Sequence, residues 1–161
     1  MKKKIILIIV IIAIAVLVIL GIYRMAEMIA PGKDPYAERY ELNVGDTSLI
    51  LAILQFKEDN MQYKVPEQTE LKDGPSEDKF LRFHSNIYFY FSDKDEILYT
   101  WVRRITKKKT TLAFVSVNKG LRLGNWKTIN KDFDSDENDE QIKMFEERIL
   151  NPVKKKLGLV D

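Results

Sequence analysis

Asn86-Ile87-Tyr88-Phe89-Tyr90-Phe91, then Ser92-Asp93-Lys94-Asp95, then Glu96-Ile97-Leu98-Tyr99-Thr100-Trp101-Val102-Arg103-Arg104 follow one another without a break. Aromatic and β-branched residues fill the two outer runs, and the residues between them are polar. Two strand-like runs around a short polar turn make a β-hairpin pattern. Thr106-Lys107-Lys108-Lys109-Thr110 supplies a second turn. Thr111 to Asn118 (TLAFVSVN) supplies a third run, closed by Lys119-Gly120. The reading is an antiparallel meander of three or four strands, with Phe80–Phe83 as the candidate fourth.

Helical patterns flank the meander. Upstream, Asp46-Thr47-Ser48 can cap a helix by accepting the free N–H groups of its first turn. Leu49, Ile53 and Phe56 then fall on one face, which predicts a buried helix over 47–57. A buried strand is the competing reading of so short an apolar run. The stretch Lys57–Lys79 is polar and punctuated by Pro66, Gly74 and Pro75. It is long for a loop, so it holds either a strand near Tyr63–Val65 or a surface excursion. Downstream, Asp134 and Glu137 are spaced as a capping box, and Ile142, Phe145, Ile149 and Leu150 form an apolar stripe. These predict a helix over 136–150, ended by Asn151-Pro152. The fold class is α+β, a meander packed by about two helices.

The N-terminus has a different character. Ile5 to Tyr23 runs for 19 residues (IILIIVIIAIAVLVILGIY) without a charge. As a helix it spans about 28 Å, close to the hydrocarbon thickness of a bilayer. Lys2, Lys3 and Lys4 precede it, and Arg24 follows. This charge bias predicts a cytoplasmic N-terminus and an exported remainder. The expected organisation is a cytoplasmic tip and transmembrane signal anchor over 1–24, a stalk over 25–45, and an exported α+β domain over 46–161. The stalk begins at Ala30-Pro31-Gly32-Lys33-Asp34-Pro35. A cleaved signal peptide fits less well, because the apolar run is long and Met25–Ala30 offers a poor A-x-A site.

Composition narrows the chemistry. The chain has no cysteine, which removes disulfides, thiolate catalysis and Cys-ligated metals from its repertoire. With the three N-terminal lysines set aside, 23 basic residues face 24 acidic ones. A near-neutral exported part gives no field for nucleic acid.

The aromatic cluster is the best functional clue. Alternation puts Tyr88 and Tyr90 on one face of their strand, opposite Ile87, Phe89 and Phe91. Tyr99 and Trp101 share a face of the next. Either loops and helices cover these faces, or Tyr88, Tyr90, Tyr99 and Trp101 form a docking surface for an envelope protein or a glycan. The acidic run Asp132–Glu140 has six carboxylates in nine residues. It suits calcium in ligand type but lacks the glycine and glutamate of an EF-hand loop. A solvated loop that caps the next helix is the simpler reading. His84, the single histidine, has no nucleophile elbow or metal partner in the pattern around it. Glu146-Glu147 reads as a solvated helix flank. The basic run Arg103–Lys109 reads as a solvated hairpin tip that discourages edge pairing. The expected function is a membrane-anchored extracytoplasmic binding domain, with no catalytic residue, cofactor or metal. A carboxylate-based or calcium-dependent envelope enzyme and a structural accessory subunit of a membrane complex are the alternatives.

Overall fold

The structure, a computed structural model, describes residues 16–20, 34–75 and 84–159. The chain forms two units, Met1–Pro35 and Tyr36–Asp161. In the first, residues 16–20 are helical and exposed. The rest of the expected span Ile5–Tyr23 lies outside the described residues, as does the expected strand at Phe80–Phe83. Among the described residues, no helix is long and apolar enough to cross a membrane.

The second unit is α+β. Its elements are β1 (Glu38–Leu42), α1 (Asp46–Asp59), β2 (Gly74–Pro75), β3 (His84–Phe91), β4 (Glu96–Thr106), β5 (Lys109–Lys119), β6 (Trp126–Thr128) and α2 (Ser135–Phe145). A π-helical turn, Glu146–Leu150, joins α2 to α3 (Asn151–Lys156). The strands form one sheet in the order β1-β5-β4-β3-β2, with β6 also paired to β5. Every pairing is antiparallel. β1 takes β5 at 110–114 and β6 takes it at 116–118, so the two short strands share one edge.

The expected meander is present as β3, β4 and β5, with turns where the polar runs fall. The sheet is wider than expected. β1 lies inside the segment read as a stalk, and β2 and β6 are too short to leave a period in the sequence. Tyr63–Val65 forms no strand; Met61–Tyr63 is a 3-10 turn.

One face of the sheet carries the main core. Leu49, Ile53 and Phe56 of α1 meet Ile87, Phe89 and Phe91 of β3 there, together with Phe145 and Ile149 from the C-terminal helical region. Phe145 stacks on Phe114 with ring centres 4.7 Å apart. A register shift between Tyr99 and Thr100 leaves Val115 as an extra residue in β5, because Tyr99 faces Ser116 while Thr100 faces Phe114. Such a bulge switches which face later residues occupy. Leu112 and Phe114 therefore reach the main core before the bulge, and Val117 reaches it after.

Two helix boundaries differ from expectation. α1 begins at Asp46, and its N-cap is Gly45, which has no side chain to offer. Asp46 instead sits in the first turn and accepts from Arg104 Nε at 2.9 Å. A carboxylate there favours the positive end of the helix dipole. The C-terminal helix continues through Pro152 and does not stop at it. Proline lacks an N–H and crowds the carbonyl four residues back. The wider π turn just before it, closed by Asn151 N–H donating to Glu146 O, accommodates the ring.

Candidate functional site

The opposite face of the sheet carries a smaller cluster of Ala37, Trp101, Ala113 and Val115, with Tyr99 packed against it. None of these residues belongs to a helix. Strand pairing sets Tyr88 opposite Tyr99 and Asn86 opposite Trp101. The Tyr88 and Tyr99 rings stack at 5.2 Å, and Trp126 meets Tyr99 edge-on at 6.3 Å. Tyr99 Oη donates to Asn86 Oδ1 at 3.1 Å. Offset stacks and edge contacts at these distances hold rings in place beyond what area burial alone provides.

The four residues singled out in the sequence have unequal positions. Tyr88, Tyr90 and Tyr99 are half-buried. Tyr90 donates its hydroxyl to Asp95 Oδ1 at 2.8 Å across the β3–β4 turn. That hydrogen bond, with some burial and the Asp95 charge, raises the Tyr90 pKa. Trp101 is 1% exposed and so presents no surface of its own. His84 lies nearly parallel to it, 4.8 Å away. Arg39 and Arg103 stand over its ring at 5.9 Å and 5.7 Å. Burial and the nearby Arg39 charge lower the Arg103 pKa. Trp101 therefore supports the face from within. Trp126 takes its place as the half-buried indole, and the sequence reading missed it because an isolated tryptophan in a polar run shows no strand period.

The edge of β3 is closed beside this face. Asp73 Oδ1 accepts from Tyr88 N at 2.9 Å, and Lys57 Nζ donates to Tyr88 O at 2.7 Å. Lys57 and Asp73 also pair directly with each other. Both free backbone groups of Tyr88 are thus used by side chains, and an added strand would find no partner there. Desolvation lowers the Lys57 pKa, and the Asp73 charge opposes that shift. Burial, and secondarily Asp73, raise that of Tyr88.

The other sequence candidates are dispersed. In the acidic run, Asp132 Oδ2 accepts from Thr128 N at 2.8 Å and Asp134 Oδ1 caps α2 through Glu137 N at 2.9 Å. Glu140 pairs with Lys94 at 2.8 Å. Backbone and side-chain contacts with Thr128 lower the Asp132 pKa, and Lys94 lowers that of Glu140. Among the described residues, no three carboxylates or histidines are grouped to hold a metal ion. Arg104 and the lysines of the β4–β5 turn are solvated, as a hairpin tip should be. Aromatic rings set half-open on a rigid sheet can stack on a flat partner group. No protein-family model matches the chain, and no curated protein matches it in sequence.

Proposed function

We propose that this chain is a membrane-anchored extracytoplasmic domain that works by binding and not by catalysis. Ile5–Tyr23 would hold it in the bilayer with the N-terminus in the cytoplasm. Its partner is an envelope protein that docks on the sheet face away from the helices. The observation that carries this reading is the half-open stack of Tyr88 on Tyr99 with Trp126 set edge-on. Aromatic side chains on a rigid frame lose little entropy on binding and dominate interface energies. The closed β3 edge favours docking through the face over strand addition. A glycan is the alternative ligand of the same rings.

Cross-linking in native membranes followed by capture of the tagged full chain tests the proposal. Wild type is expected to retain a discrete protein partner, and Tyr88→Ala with Trp126→Ala to lose it while the fold survives. Equal capture by wild type and the double variant contradicts it.

A further inference from the structure

A second site lies on the helix side of the sheet and does not depend on the aromatic face. Glu96 opens β4 and Gln141 sits midway along α2, at 7% and 8% exposure. Gln141 Nε2 donates to Glu96 Oε2 at 3.1 Å. Gln141 Oε1 is buried and accepts no hydrogen bond from the protein. Both side chains line a cleft of about 580 Å³ between α2 and the sheet, with Phe133, Lys94, Lys119 and Lys127 around them.

One buried acceptor of the pair, Gln141 Oε1, has no donor from the protein. A buried carboxylate needs a cation or several N–H groups to offset its lost hydration. Gln141 supplies an amide N–H, and the Lys94 ammonium acts on the carboxylate from nearby. Lys94 lines the same cleft but gives its hydrogen bond to Glu140 at 2.8 Å. Swapping the Gln141 amide would turn its oxygen toward Glu96, so the unmet acceptor is not removed by reversing it. The rim carries both signs, with Lys94, Lys119 and Lys127 beside Glu137 and Glu140. Lys127 Nζ lies over the Phe133 ring at 5.0 Å and only 3.7 Å from Glu137, and Lys119 is exposed beside it. A metal ion fits poorly, because the carboxylates here do not group in threes.

We propose that this cleft binds a small zwitterion of the amino-acid or short-peptide class. Its ammonium group sits on Glu96 beside the Gln141 amide, and its carboxylate reaches Lys119 and Lys127. Phe133 and Val117 offer an apolar wall for a side chain. The cleft volume falls in the range of small-molecule sites, about 300–1,000 Å³.

Titration of the isotope-labelled full chain in detergent micelles, read by NMR at the Gln141 side-chain amide, tests this. The probes are leucine, alanyl-leucine, N-acetyl-alanyl-leucine and alanyl-leucine amide, each at millimolar concentration. Leucine or alanyl-leucine is expected to shift the Gln141 resonances, and which of them binds tells a free amino acid from a peptide end. The acetylated probe is expected to bind at least about tenfold more weakly, as is alanyl-leucine to the isosteric Glu96→Gln. Lys119→Ala, a change at an exposed side chain, is expected to weaken the free-carboxylate probes and leave the amide unaffected. The proposal is overturned if neither leucine nor alanyl-leucine shifts Gln141. Equal binding of the acetylated probe, or a response to calcium chloride alone, overturns it too.

Discussion

Lys57 shows how one side chain can fix an edge of the fold. Its ammonium is buried, pairs with Asp73 and reaches Tyr88 O, and it stands 5.3 Å from the Phe89 ring centre. Breaking such a pair from one side strands a buried charge, which costs about 3–5 kcal/mol. Asp73→Asn is therefore expected to lower unfolding free energy by about that amount at pH 7. The sign of the pH dependence follows from the lowered Lys57 pKa. Between that value and the unfolded lysine value of about 10.4, the unfolded state holds more protons, so this group makes stability rise with pH. Without Asp73 the shift deepens. The gap between Asp73→Asn and wild type should then narrow in denaturant titrations as pH rises from 7 toward 10. A gap that stays constant or widens would show that Lys57 is not the stranded charge. None of this is legible in the sequence, where Lys57 ends a helix and Asp73 sits in a polar run 16 residues later. Trp101 is the converse case. Its strand and face are readable from alternation, but not its burial, because burial depends on what other segments place over the ring.

At the level of elements, β3, β4 and β5 are readable because each is a long run rich in aromatic and β-branched residues that ends in a charged turn. α1 and α2 were readable from their apolar stripes. β1 was not, since Glu38-Arg39-Tyr40-Glu41-Leu42 is short and charged, as edge strands tend to be. It lies inside the segment read as a stalk, a few residues after its Pro-rich start. The bulge at Val115 was also hidden, because one extra residue changes a pairing without changing composition. The continuation through Pro152 defied the usual stop signal because the π turn relieves the clash locally. The cap of α2 was readable, and it tests the role of the acidic run. Asp134→Ala removes the acceptor for Glu137 N and should lower stability by about 1 kcal/mol. Added calcium should leave the melting temperatures of wild type and variant unchanged. A calcium-dependent rise that vanishes in the variant would return the run to a metal-binding role.

At the scale of the second unit, its helices and the main core occupy one side of the sheet and the aromatic cluster the other. On the proposed reading, this division leaves the second unit one face for stability and one for recognition, with the proposed zwitterion cleft at the helix side. The proposal that the unit works outside the cytoplasm rests on the charge-free run Ile5–Tyr23 and the lysines before it. The natural chain has no cysteine, so single introduced cysteines report topology without background. The most direct test compares Lys3→Cys with Lys108→Cys, the latter at the exposed β4–β5 turn. Each is treated with a membrane-impermeant maleimide in intact, wall-free cells. The account predicts that Lys108→Cys labels at once and Lys3→Cys labels only after lysis. Labelling of Lys3→Cys in intact cells with Lys108→Cys protected, or protection of both, would contradict it.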